Sequence, residues 1–213
     1  MSGVYTVYVA GDERAAATAP CDRGGPHVKN DRGGLARAAW RQVSTRQAYT
    51  NRWITVREDT VAMPDGRTTL YGVIQCAPCV GVLPFLDRDT VVLVGQYRYV
   101  AAAFYWEIPT GAITPGETEE AAVQRELAEE AGYEAARLEK LCAFHTSKSV
   151  MEETANIYLA EGLRPASREA DDTEFIEVRA FPFDEALRMV LDDEIKDAMS
   201  IIAILHGARR RGR

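Results

Sequence analysis

No run of this chain is apolar for long enough to span a bilayer, so a membrane-embedded function is not expected. The opening stretch MSGVYTVYVAGDERAAATAP lacks the basic start and the unbroken apolar segment of a secretory leader, which makes a cytoplasmic location the expectation. Surplus positive charge is missing as well. The chain has 25 Lys and Arg against 32 Asp and Glu, a net charge of −7, and that balance argues against nucleic acid as a bulk partner. A small phosphorylated substrate stays open, because a bound cation can recruit phosphates locally. Cysteine is sparse, with four thiols at Cys21, Cys76, Cys79 and Cys142. Cys76-Ala77-Pro78-Cys79 has the C-x-x-C form, which raises zinc or redox chemistry. No second such pair follows, and His145 and His206 lie far along the chain. The surrounding YGVIQCAPCVGVLPF reads as buried β-structure, so the expected role of these thiols is core packing.

What is present is enough for one good-sized domain: 213 residues, 46% hydrophobic and 27% charged. Residues 1–35 show no sustained period beyond a short strand candidate at Val4 to Val9, and read as a flexible extension. From Trp40 onward VSTRQAYTNRWITVREDTVAM alternates apolar and polar residues, and Pro64-Asp65-Gly66 supplies a hairpin turn. TLYGVIQCAPCVGVLPFL and TVVLVGQYRYV read as strands joined at Asp87-Arg88-Asp89, and LEKLCAFHT, TANIYLAEGL and Glu174 to Ala180 as later ones. Phe183 to Leu191 and Glu194 to His206 read as helices, and the terminal ARRRGR as a solvated basic tail. Strands around a central helix, followed by C-terminal helices, give an α/β (α+β) layered class.

The stretch from Gly111 to Tyr133, GAITPGETEEAAVQRELAEEAGY, concentrates the chemistry. Gly111, Pro115 and Gly116 break any incoming helix. Thr118 sits as an N-cap, Glu119 and Glu120 fall in the favoured first turn, and Gly132 ends a helix predicted over Glu119 to Ala131. Ala122, Leu127, Ala128 and Ala131 are its candidates for the core. Glu126, Glu129 and Glu130 project from one face at i, i+3 and i+4, where like charges are mildly destabilising. Either this is a solvated acidic face, or a hard divalent cation, Mg²⁺ or Mn²⁺, sits among the carboxylates. Arg125 and Glu117 can form a pair that orients those ligands.

The order of the segment resembles the Nudix box: Gly111, five residues, Glu117, seven residues, then Arg125-Glu126-Leu127-Ala128-Glu129-Glu130-Ala131-Gly132-Tyr133. Every fixed position is met. Outside it, Gln96-Tyr97-Arg98, the run Glu107-Ile108-Pro109-Thr110-Gly111, residues 194–200 and AYTNRWITV resemble the ADP-ribose pyrophosphatase branch of that family. The resemblance covers roughly Gln42 to Ala208. It implies a Nudix-type α/β/α sandwich with a mixed sheet, preceded by an N-terminal antiparallel sheet. The implied domain spans 36–213, with 36–75 in homodimerisation and 76–208 as the catalytic core.

The resemblance further implies Mg²⁺-dependent hydrolysis of a nucleoside diphosphate sugar, ADP-ribose first, to AMP and ribose 5-phosphate. Another sugar nucleotide, such as GDP-mannose, and a non-catalytic nucleotide sensor are the alternatives. Glu126, Glu130 and Glu129 would hold the metal, with the main-chain carbonyl of Thr110. Arg98 would contact phosphate or terminal ribose. Trp53 would stack on the base with Arg52 beside it, unless Trp53 is a core anchor. Glu107 would touch the base or merely end a strand. Glu153, with Glu152 as neighbour, fits the catalytic base, and Arg125 and Glu129 assist. One departure stands out: Lys148 lies fifteen residues beyond Tyr133, where the branch has Pro.

Overall fold

This computed structural model describes residues 38–166 and 175–213. The extension expected at 1–35, with its strand candidate, lies outside the described residues. Trp40–Arg213 form one compact unit. Among the described residues no helix is long and apolar enough to cross a membrane.

The alternating N-terminal segment folds as an antiparallel meander of β1 (Arg41–Thr50), β2 (Thr55–Ala62) and β3 (Thr68–Gln75). Its second turn closes at Gly66, whose φ of +88° is the left-handed region that glycine enters freely. The chain then crosses to β4 (Cys79–Pro84), β5 (Thr90–Arg98), β6 (Ala103–Glu107) and β7 (Thr110–Ala112). After α1 (Glu119–Ala131) come β8 (Tyr133–His145), the two-residue β9 (Met151–Glu152), β10 (Thr154–Pro165) and β11 (Glu177–Pro182). Two helices, α2 (Phe183–Leu191) and α3 (Ala198–Arg210), close the chain. Three sheets result: β1-β2-β3-β9, β7-β4-β10-β8 and β11-β5-β6. The middle one is mixed, with β4 and β10 parallel and β8 and β7 antiparallel to them.

Period-2 alternation decides which helix each strand face receives. Val80 and Val82, Val92 and Val94, and Tyr158 and Ala160 pack with Ala122, Val123 and Leu127 of α1. The intervening Leu83, Val91, Leu93, Ile157 and Leu159 pack with Phe183, Ala186 and Val190 of α2 and Ala203 and Ile204 of α3. The result is the expected α/β/α sandwich. A buried Leu or Ile of this kind contributes about 1.5–3 kcal/mol.

Three local expectations are corrected. The last helix begins at Ala198 rather than Glu194, because Asp197 caps it by accepting from Ser200 N. Upstream, the Glu194 and Ile195 amides turn back to the Met189 carbonyl. The basic tail is docked rather than solvated: Arg211 lies 3.6 Å over the Phe85 ring and Arg213 pairs with Asp184 at 2.7 Å. Cys76 and Cys79 are half-buried free thiols rather than sealed core residues, and Cys142, also free and half-buried, packs against the core. The first two flank a break at Ala77 and Pro78, where the chain leaves the N-terminal sheet for the central one and Pro78 offers no ladder donor.

Candidate active site

The helix α1 is built as its local sequence dictates. The Thr118 hydroxyl accepts from Ala121 N at 3.2 Å, and Gly132 (φ +74°) returns its amide to Ala128 O. Before it, the Glu117 carboxylate takes the Thr114 amide at 3.1 Å and its hydroxyl at 2.8 Å, fastening the turn that Gly116 makes possible. Onto this frame the Arg125 guanidinium draws three carboxylates. It reaches Glu117 twice at 3.0 Å, Glu126 at 2.5 Å and Glu129 at 3.1 Å, and also donates to Ala112 O at 2.8 Å. Hydrogen bonds from Arg125, then the Thr114 contacts, pull the Glu117 carboxyl down to about 2 against the cost of burial. Arg125 and Glu117 are therefore paired, and Arg125 engages Glu126 and Glu129 as well.

Glu126 and Glu130 are 8% and 7% exposed, an unusual depth for two acids on one helix. Glu126 lies against Gly111, where an added Cβ would fall 1.9 Å from its Oε1. That backbone must be glycine for the carboxylate to sit there. Glu130 accepts the Thr110 amide at 2.8 Å, which ties the helix to β7 and fixes the Thr110 peptide. Among the described residues the acids do not converge as a closed set of three or more around one point. Arg125 gathers Glu117, Glu126 and Glu129 instead, and Glu130 is held by Thr110. Even so, three half-buried to buried carboxylates and a peptide carbonyl are an all-oxygen donor set, which suits a hard divalent cation and not a soft one.

A second ion pair joins β5 to β6. Arg98, near the end of β5, grips Glu107, at the end of β6, through Nε at 3.1 Å to both oxygens and Nη2 at 2.6 Å. Glu107 is 5% exposed while half of Arg98 faces solvent. The two residues, considered separately in the sequence, act as one unit. With Tyr105, Thr110, Lys196 and Asp197 they line a cavity of about 330 Å³. Lys196 and Asp197 were not singled out from the sequence, although the segment 194–200 was. A further link was missed entirely. The Ile108 amide donates to the Ser200 hydroxyl at 2.9 Å, which donates to Asp197 at 2.7 Å. Ser200 is fully buried, so the cap of α3 holds the backbone between Glu107 and Thr110.

Glu153 lies between β9 and β10 and, with His145, Lys148, Met151, Glu152 and Thr154, lines a second cavity of about 320 Å³. The departure at Lys148 thus shares a cavity with the candidate base. Glu152 is engaged by Arg57 at 2.7 Å. Glu153 faces the thiols instead: burial, then the Glu153 carboxylate, pushes Cys76 up and Cys79 up to about 12. Trp53 is 66% exposed in the turn between β1 and β2, which removes the core-anchor alternative. The Arg52 guanidinium lies 3.8 Å over its ring, and Asn51 holds the turn by accepting from the Trp53 and Ile54 amides. Trp53 and Arg52 line neither cavity.

Known proteins share both halves of this arrangement. Residues 77–200 match the family model described as NUDIX domain, and residues 40–74 the one described as nucleoside diphosphate sugar hydrolase N-terminal domain. The methanol dehydrogenase activator of Bacillus methanolicus is 31% identical over 164 residues, 76% of this chain and 89% of that protein. The ADP-ribose pyrophosphatase of Bacillus subtilis is 32% identical over 164 residues, with the same shares of 76% and 89%. A crystal structure of an ADP compounds hydrolase superposes with a TM-score of 0.74 at 23% identity, over 83% of this chain and 97% of its own, and shares the fold.

Proposed function

The chain belongs to the Nudix hydrolase family, and from that premise we propose that it cleaves the diphosphate of a nucleoside diphosphate sugar with Mg²⁺, taking ADP-ribose to AMP and ribose 5-phosphate. The observation that carries this reading is the Arg125 hub, with Glu117, Glu126 and Glu129 drawn onto one guanidinium beside Gly111. A surface helix has no use for such an arrangement, whereas a site for a cationic cofactor needs its acids deprotonated and oriented. The name and coverage of the Bacillus subtilis relative support the choice of substrate.

In this reading Glu126, Glu130, Glu129 and the Thr110 carbonyl hold Mg²⁺, with Mn²⁺ as a substitute. The bound ion supplies charge neutralisation of the diphosphate and a more acidic water. Arg125 aims Glu126 and Glu129, and the Thr110 amide aims Glu130. Glu153 takes the proton of the attacking water. Arg98, braced by Glu107, meets a phosphate or the terminal ribose, and Lys196 adds a second cation on the same cavity wall. Trp53 and Arg52 serve the base of a substrate bound by a second copy, in a homodimer built on 36–75. The support is their exposure away from the cavities, together with a β1 exposed along its whole length. Residues 76–208 are the catalytic core.

Glu126→Gln tests the reading at its centre. It keeps the shape over Gly111 and removes the charge. Turnover with Mg²⁺ is expected to fall about a hundredfold or more, the scale of losing a preorganised electrostatic contact at the reacting group. Near-wild-type turnover would remove the metal assignment.

A further inference from the structure

The segment that carries Glu153 is polar and short, and what holds it is the N-terminal sheet. Val150 and Met151 close a turn onto Ser147 O, at 3.1 and 2.9 Å. The Ile74 amide then donates to Val150 O at 2.8 Å, and Met151 and Glu152 pair in parallel with Ile74 and Gln75 as a fourth strand of that sheet. Glu153 follows at once, and the next residue begins β10 of the central sheet. The position of Glu153 is therefore set from both sides by strands of different sheets.

One side chain spans this junction. Arg57 stands on β2, and Glu152 on β9, with β3 between them. The guanidinium crosses that intervening strand to reach Glu152 through Nη1 at 2.7 Å and Nη2 at 3.5 Å. Its Nε stays on the buried Asp59 at 2.9 Å. Arg57 therefore has its own anchor in the sheet before it takes the loop. Glu152 is 54% exposed and is held below its ordinary value, chiefly by the hydrogen bond from Arg57 and then that from Gln75. An exposed ion pair adds little to stability. A planar fork does fix direction, however, and adjacent residues on an extended strand point to opposite faces. Glu153 is the next residue, between the two strands, so a fixed direction for Glu152 limits where the Glu153 side chain can go.

We infer that Arg57 and Glu152 are positioning residues: together they dock the loop as a strand and so orient the neighbouring Glu153. The inference rests on the reading of Glu153 as the base, and it makes the N-terminal sheet part of the catalytic machinery within one chain.

The experiment uses the full chain with Mg²⁺ and ADP-ribose, and the variants Arg57→Met, Glu152→Gln, their double, Arg57→Lys and Glu153→Gln. Glu152→Gln lies on the surface and does not threaten folding. Each of the first two is expected to lower kcat about tenfold, the scale of a displacement of less than 1 Å at a reacting group, with KM within about threefold. The double variant is expected to lose little more than Arg57→Met alone, because both changes act on one contact. Arg57→Lys is expected to recover part of kcat, since it keeps charge but not the fork. Unchanged kcat in either single variant, or losses that multiply to about a hundredfold in the double, would overturn the inference. So would a Glu152→Gln loss as deep as that of Glu153→Gln and unmatched by Arg57→Met, because Glu152 would then be the base itself. Hydrogen exchange at residues 150–153 gives a reading independent of turnover. It is expected to quicken in Arg57→Met, and unchanged protection overturns the docking. If the wild-type protein hydrolyses no sugar nucleotide, the functional reading fails by itself, and the exchange result still decides whether Arg57 docks the loop.

Discussion

Among the described glycines, Gly111 has the least room for a side chain. Its α-carbon faces the Glu126 carboxylate so closely that a methyl group would overlap both oxygens and the carbon between them, at 1.9, 2.5 and 2.1 Å. Gly111→Ala is therefore expected to displace Glu126 and, through it, the Arg125 hub. Overpacking of this kind costs about 1–3 kcal/mol of stability, and activity should fall further than stability does. Thermal melts read beside Mg²⁺-dependent turnover would check this, and an Ala variant with full activity would show that the carboxylate does not need its seat. The box residues were legible in the sequence because each is local: glycine where the backbone meets a side chain, arginine within a turn of the acids it orients. The bond between Arg98 and Glu107 was not legible as a pair. It depends on the register of β5 against β6, which no single residue announces.

Among the elements, α1 was readable to the residue, since Thr118, the two first-turn acids and Gly132 all signal locally. The start of α3 was misread by four residues because Ile195, fully part of the core, continues the apolar spacing backward past the real cap at Asp197. Contacts that span 92 and 95 residues, from Ser200 to Ile108 and from Glu152 to Arg57, were beyond any spacing argument. The first turn of α1 carries its own test. Glu119 accepts from Lys140 at 2.6 Å and from the buried Tyr158 hydroxyl at 2.7 Å, fastening the helix to β8 and β10. Lys140 holds Glu119 below its ordinary 4.5, so that part of the stability is present above 4.5 and is lost as pH falls through the lowered value. Burial, then Glu119, pushes the Tyr158 phenol above its ordinary 10.0, so its contribution is complete below pH 10.0 and is lost as pH rises through the raised value. Tyr158→Phe is expected to cost about 1.5–3 kcal/mol near neutral pH, the size of a hydrogen bond to a charged group. The gap from wild type should narrow in acid as Glu119 protonates. A gap constant from pH 7 to pH 3 would mean that the hydroxyl is not held by the carboxylate.

On the scale of the whole molecule, the N-terminal sheet carries unusual surface for a lone chain. All ten residues of β1 are exposed, Val43 and Tyr49 among them, and the exposed Trp40 and Trp53 on either side add large apolar area. Patches of this kind mark interfaces, and light scattering is expected to give twice the mass of the 23.5 kDa chain. A monomer would leave Trp53 and Arg52 without a base to meet. The central claim concerns chemistry, and it is tested most directly by chromatography of the products formed with Mg²⁺ from ADP-ribose, GDP-mannose, UDP-glucose, NADH and 8-oxo-dGTP. AMP and ribose 5-phosphate are expected to appear fastest from ADP-ribose, with chelation stopping the reaction and fresh Mg²⁺ restoring it. Faster release from another sugar nucleotide would keep the mechanism and move attention to Lys148. No phosphate ester from any of the five would contradict the account.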